Sequence, residues 1–253
     1  MNHVYIQARI GSKRFPKKVL KEVCCKTIIE LIIERVQKIK NIDKIIIVTG
    51  PKEKNLELIE KVSKLGIEFF CGSEENILDR FYQASCKFKS KNIVRITADC
   101  PLLDFNLINY GLEIFPEKNV DILSNNRIRT FPHGLDFEIF TKHALKIAWE
   151  DNLSQFENYE KFKSIFIPPT KYMLEKKKFK KFDLKNKENF SNIRITLDYK
   201  EDFELIKKIY EELYENNSNF GLNEIVNFLE KYPELLIINK KWIENSSKLE
   251  IEK

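Results

Sequence analysis

The stretch "VYIQARIGSKRFPKKVL", residues 4–20, carries an apolar, strand-like run into ten residues, Arg9 to Lys18, of which five are Arg or Lys. That is the composition of a phosphate-binding loop. Gly11 permits close approach of the backbone, Ser12 and the N–H groups after it can donate to phosphate oxygens, and Arg9, Arg14 and Lys18 supply positive charge. The spacing is neither GxxxxGK nor GxGxxG, which disfavours an ordinary P-loop ATPase or dinucleotide-binding fold. Two aspartates complement the loop. Asp99 follows the apolar run 93–97 in "RITADCPLLD", and Asp198 follows the run 193–197 in "RITLDYKEDF". Two carboxylates beside a phosphate-binding loop suit Mg²⁺, a hard cation that takes oxygen ligands and bridges to substrate phosphates. Asp202 lies close by, either as a further ligand or as a first-turn helix acid.

These residues need a scaffold that delivers strand ends to one edge. The runs 3–8, 44–49, 67–71, 93–97, 120–124, 135–140 and 193–197 read as strands, and helical apolar spacing fills most of the gaps between them. Asp104 and Thr141 stand where helix N-caps belong. Such alternation predicts an α/β fold with a mainly parallel sheet flanked by helices, and ligands in the crevice outside the carboxyl ends of its strands. Residues 125–192 break the alternation and are expected to leave the sheet before the run 193–197 returns to it. Residues 200–253 are expected to be a helical C-terminal segment of the same single domain, spanning 1–253.

Composition narrows the function classes. The chain has 253 residues, 43% of them hydrophobic, enough for a full core. No apolar run reaches the roughly 18 residues of a membrane span, and the first residues lack a signal-peptide pattern, so a cytoplasmic protein without membrane partners is expected. The five cysteines include no CxxC pair, which points to neither a disulfide framework nor a zinc site. The net charge of +6 is matched by residues 171–187 alone, whose eight lysines face one Glu and one Asp. A surplus confined to one run reads as a solvated face, and no nucleic-acid partner is expected.

Five segments in order, "IQARIGSKRFPKKVL", "GSEENILDRFYQA", "RITADCPLLD", "FPHGLDFEIF" and "IRITLDYKEDFELIKKIY", resemble the successive motifs of the cytidylyltransferase family of the spore-coat polysaccharide type, related to acylneuraminate and KDO cytidylyltransferases. The resemblance implies a Rossmann-like nucleotidyltransferase fold, CTP as donor, Mg²⁺, an anionic small-molecule acceptor such as a sugar acid, and a homodimer. It implies that Ala8, Arg9, Gly11, Ser12, Arg14 and Lys18 surround the nucleotide, with Arg9, Lys18 and Asp99 catalytic. Arg80 would face the nucleotide, Asp99 and Asp198 would hold the metal, and His133, Asp136 and Glu138 would bind the acceptor. Arg127, Arg129 and Lys171 offer further anion partners. Two departures stand out: Lys17 occupies a position where glycine is usual, and the stretch 156–173 lacks the family's EREH-like motif. A non-catalytic nucleotide-binding module would have lost the two aspartates. A nucleotide-sugar glycosyltransferase would show a DxD motif, for which this chain offers only "DFE" and "EDF". A phosphonate or polyol phosphate is the alternative acceptor.

Overall fold

A computed structural model describes residues 1–243. Its sheet has seven strands, β1 (Asn2–Gln7), β4 (Lys44–Thr49), β5 (Glu68–Cys71), β6 (Asn92–Thr97), β7 (Ile122–Ser124), β8 (Phe137–Thr141) and β9 (Lys181–Asp183), in the order β5-β4-β1-β6-β8-β7-β9. The short strands β2 (Glu22–Val23) and β3 (Lys26–Thr27) form a separate hairpin. Between the strands run α1 (Ile28–Val36), α2 (Leu56–Lys64), α3 (Ile77–Lys87) and α4 (Phe105–Lys118), followed by α5 (Lys142–Leu153), α6 (Tyr159–Ser164) and α7 (Lys171–Glu175). The helices α8 (Lys200–Leu213) and α9 (Leu222–Lys231) follow, so the expected helical C-terminus is present up to the described limit, and residues 244–253 of it lie outside the described residues.

β1 is the central strand, with Val4, Tyr5 and Ile6 fully buried. Its alternating side chains feed two cores: Val4 and Ile6 pack with residues of α1, α4, α8 and α9, while Tyr5 packs with Leu78, Phe81 and Leu145 of α3 and α5. β5, β4, β1 and β6 are mutually parallel in register, so Gln7 sits level with Val48 and Thr97. The chain therefore leaves β1 and β6 side by side, with Ala98 N–H donating to the Gln7 carbonyl at 2.9 Å. Asp104 and Thr141 cap α4 and α5 as their sequence positions require, Asp104 accepting from Asn106 and Leu107 N–H and Thr141 from Ala144 N–H.

β8 runs antiparallel to β6, with Phe137 opposite Ile96. Its start lies at the edge where β6 ends, and residues 133–136 consequently reach the same crevice as residues 8–18. The expected strand over 193–197 is a correction. This segment is extended but makes only an isolated bridge between His133 and Arg194, with Ile195 N–H donating to the His133 carbonyl at 2.7 Å and Leu197 N–H to the Asp99 carbonyl at 2.7 Å. Gly134 makes this approach possible: at φ 119° it needs glycine, and a Cβ there would stand 2.5 Å from the Ile195 carbonyl carbon. Within 125–192 the expected strand over 135–140 forms as β8, and β9, drawn from the lysine run and not expected, pairs in parallel with β7 at the sheet edge.

The β2–β3 hairpin turns on Cys24 and Cys25, both left-handed at φ 49° and 59°. That is the backbone of a turn that favours Asn-Gly. Cys25 is exposed. Cys25→Gly should raise stability by about 0.5–1 kcal/mol, the left-handed penalty relieved less the entropy of the unfolded glycine, and thermal unfolding should show an increase of about 2 °C.

Candidate active site

At the carboxyl edge of β1 and β6 lies a cavity of about 470 Å³, walled by the 8–18 loop on one side and by Asp99, Asp198 and Arg80 on the other. The loop is anchored through Ile10, whose N–H donates to Asn55 Oδ1 at 3.0 Å and whose carbonyl accepts from the N–H groups of Ser12 and Lys17. Among the described residues the N–H groups of Gly11, Lys13 and Arg14 bond to no protein acceptor, which leaves them for an anion. The Ser12 N–H is spent on the turn, which leaves Ser12 its hydroxyl as a donor. Gly11 has nothing within 4 Å of where a Cβ would stand, so the loop backbone is open to a ligand at that point. Lys17 adopts φ 53°, the left-handed conformation for which glycine is the usual choice, and the turn closes without glycine.

Lys18 is the junction of the site. Its Nζ donates to the Leu197 carbonyl at 2.5 Å and to Asp198 Oδ1 at 3.0 Å, and lies 3.8 Å from Asp99 Oδ2. Asp198 also accepts from Arg14 at 2.6 Å and from Arg194 at 3.4 Å. Burial pushes the Asp198 carboxyl up, but Lys18, Arg14 and Arg194 outweigh it and hold it below the ordinary carboxylate range. Asp99 is more open, its side chain about a third exposed. Arg9 pairs with Glu74 at 3.2 Å across the mouth of the cavity.

Arg80 is 2% exposed, yet among the described residues no carboxylate bonds it and its Nε has no partner, while Nη1 donates to the Ser73 carbonyl. Burial lowers its pKa to about 10, against which Glu74 pushes upward. A buried guanidinium short of partners at the wall of a cavity suits an acceptor-bearing ligand.

A second cavity of about 190 Å³ adjoins the first, and Thr97 and Asp99 line both. His133 and Asp136 line the smaller one, but Glu138 does not. The placement of Glu138 corrects the expectation. It sits opposite Arg95 in the β6–β8 register, is 2% exposed, and spends its carboxylate on Arg95 at 2.7 Å and Thr170 at 3.1 Å. The expected anion partners are also engaged: Arg129 holds Asp136 in a two-pronged pair, Arg127 holds Asp183, and Lys171 lies 3.7 Å from Glu175 on the surface. Burial depresses the pKa of His133, partly opposed by Asp136, so the ring is neutral near pH 7. With Nδ1 against the Arg194 guanidinium at 3.4 Å, the neutral ring carries its proton on Nε2.

Sequence reasoning missed Arg194, Asn239 and Glu74, and left Asp202 open between a further ligand and a first-turn helix acid. Asp202 is wholly buried and accepts from Arg194 and from the N–H groups of Asp198 and Tyr199, which makes it a first-turn helix acid that fixes the Asp198 backbone rather than a metal ligand. The signal for Arg194 was available: an arginine inside an otherwise apolar run, four residues before Asp198.

No cluster of three or more His, Cys, Asp or Glu able to hold a metal occurs among the described residues. The donor set instead fits an ion held by one or two carboxylates and completed by substrate phosphates. Asp99 is the more open of the two carboxylates, and Asp198 could ligate only with Arg14 and Lys18 both drawn off its Oδ1 by an anion.

The model of the cytidylyltransferase family matches residues 4–226. The chain belongs to that family. It is a CTP-dependent nucleotidyltransferase of Rossmann-like fold. An uncharacterized protein of Methanocaldococcus jannaschii is 36% identical, covering 98% of this chain and 97% of that one. The spore coat polysaccharide biosynthesis protein SpsF of Bacillus subtilis is 28% identical, covering 90% of this chain and 94% of its own. A cytidylyltransferase structure from Leptospira borgpetersenii superposes with a TM-score of 0.82 at 26% identity, over 93% of this chain and 96% of that one. In this cytidylyltransferase the motifs quoted from the sequence thus fall within the matched region, and the loop, Arg80, Asp99 and Asp198 line one cavity.

Proposed function

We propose that the protein transfers CMP from CTP to a polyhydroxylated sugar acid of the nonulosonic type and releases pyrophosphate, with a product destined for surface polysaccharide or glycan. The observation that carries this reading is the meeting of two cavities at Asp99 and Thr97, a larger basic one and a smaller polar one. A nucleotide in the first would present its α-phosphorus at the shared wall, and an acceptor in the second would present a hydroxyl from the other side. The bond formed joins acceptor oxygen to the α-phosphorus; the bond broken joins that phosphorus to the pyrophosphate oxygen.

The protein's part is positioning and charge neutralisation. Lys18 and Arg14, released from Asp198 by the incoming phosphates, meet the charge that builds on the leaving pyrophosphate. Asp99, with Asp198, would hold Mg²⁺, which when bound supplies Lewis-acid neutralisation of the phosphate oxygens. The acceptor side offers Asn126, Thr97, Thr196 and the His133 Nε2–H as hydroxyl and carboxylate partners, with Arg95 and the Arg129–Asp136 pair behind them. Such a mixture of donors and acceptors suits a sugar acid better than a small phosphonate, which offers few hydroxyls. The similarity to a spore coat polysaccharide biosynthesis protein supports the destination of the product. A homodimer in the cytoplasm completes the reading: exposed Ile165 and Phe166 give the excursion an apolar surface for a second copy, and among the described residues no helix is long and apolar enough to cross a membrane.

An acceptor panel tests this. With CTP and Mg²⁺, pyrophosphate release is expected with sialic-, pseudaminic- and legionaminic-type acids or KDO, and with CTP in preference to UTP, ATP and GTP. Turnover confined to aminoalkyl- or hydroxyalkylphosphonates and polyol phosphates would move the acceptor class and leave the donor chemistry in place.

A further inference from the structure

Residues 239–242 lie beyond the part of the chain that the family model matches, and they contact Arg194, Asp202 and Tyr199, which stand behind Asp198 and Arg14 of the cavity wall. Asn239 is 1% exposed, and its Nδ2 donates to the Arg194 carbonyl at 2.9 Å and to Asp202 Oδ1 at 2.8 Å. Asp202 in turn grips Arg194, whose guanidinium faces Asp198. Three residues on, the Trp242 ring lies flat on Tyr199, with centroids 3.4 Å apart and planes 1° from parallel, and its Nε1 donates to Glu201 at 3.2 Å. Tyr199 also carries the Arg14 guanidinium, 5.2 Å from its ring centroid. One line of contacts therefore runs from Trp242 through Tyr199 to Arg14, and another from Asn239 through Asp202 and Arg194 to Asp198.

We propose that residues 239–242 form a positioning clamp for the triphosphate: Trp242 places Arg14 through Tyr199, and Asn239 places Asp198 through Asp202. The inference rests on the cytidylyltransferase reading for the identity of its ligand. The physical reason is entropic. The Arg14 side chain is 54% exposed, and a long side chain at that exposure must otherwise be ordered from many rotamers when the anion arrives. Stacking on a ring that is itself held from behind removes part of that cost in advance. The gain falls on binding of CTP, because the stack holds Arg14 in the ground state as well as in the transition state. Arg14 leaving Asp198 for a phosphate shifts the cation over Tyr199 and so alters the surroundings of the Trp242 ring.

The chain has two tryptophans, so Trp149→Phe makes Trp242 the sole indole reporter. In that background Trp242 emission should change saturably with CTP and, separately, with inorganic tripolyphosphate, and adding Arg14→Ala should abolish the response. In kinetics, Trp242→Ala should raise KM for CTP on the order of tenfold with kcat little changed, Trp242→Phe should restore most of it, and Trp242→Ala should add nothing to Arg14→Ala. Silent Trp242 emission while calorimetry registers binding, or fully additive effects of the two substitutions, would overturn the clamp. An emission response to tripolyphosphate in a protein that never consumes CTP would instead sink the functional reading and leave the clamp standing.

Discussion

Asp99→Asn is expected to fold like the wild type and to lose turnover by about 10²–10³-fold, the scale of deleting one charged group that acts on the reacting centre. Its side chain is about a third exposed, its nearest cation is Lys18 at 3.8 Å, and it carries no part of the core, so little else responds to the change. Asp198→Asn should behave differently. Its carboxylate gathers Arg14, Lys18 and Arg194, and neutralising it leaves three cations facing one another in a largely buried place. A stability loss of about 3 kcal/mol should accompany its loss of turnover. Urea unfolding of both variants beside their steady-state rates checks the contrast, and near-normal rates for Asp99→Asn at saturating CTP and Mg²⁺ would remove Asp99 from the site. Because the native Asp198 pKa is depressed, its contribution to stability is complete above about pH 4 and disappears as pH falls through the native value.

Lys18→Ala should cost about 2–4 kcal/mol of transition-state stabilisation, or roughly 30- to 900-fold in turnover. Lys18, its side chain only 13% exposed, links Asp198, Asp99 and the Leu197 carbonyl, so its removal also takes a donor from that carbonyl. Lys18→Arg should not restore activity, since a planar fork cannot replace a compact ammonium between two carboxylates. Single-turnover rates with preloaded CTP separate the chemical step from binding; a variant that keeps the rate and only weakens CTP would reduce Lys18 to a binding residue.

What could be read beforehand was whatever depends on neighbours in sequence. The caps at Asp104 and Thr141, the six runs that became β1, β4, β5, β6, β7 and β8, and the basic loop after β1 are all written in local pattern. The position of Asp198 was also legible, though for an incomplete reason: its segment comes to the sheet edge by bonding to His133 and Asp99, not by joining the ladder. The fate of Glu138 depends on a register that puts it opposite Arg95, and register becomes visible only once the antiparallel direction of β8 is known. Arg127 and Arg129 looked like free cations because Asp183 and Asp136 could not be assigned to them from spacing. Asn239 was beyond reach for the same reason, its partner Arg194 being 45 residues away.

The reversal of direction at β8 divides the enzyme's inheritance into two lots. The 8–18 loop and Asp99, proposed to grip the donor, follow parallel strands whose order is set by crossover helices, a framework hard to alter without unthreading the sheet. The far wall hangs from the start of one antiparallel strand and the loop before it, where residues can be exchanged without shifting the β1–β6 pairing. Thr97 and Asp99 are the hinge of this bargain, common property of both cavities. Exchange of residues 126–136 between relatives should therefore trade one acceptor for another while the affinity for CTP travels unchanged.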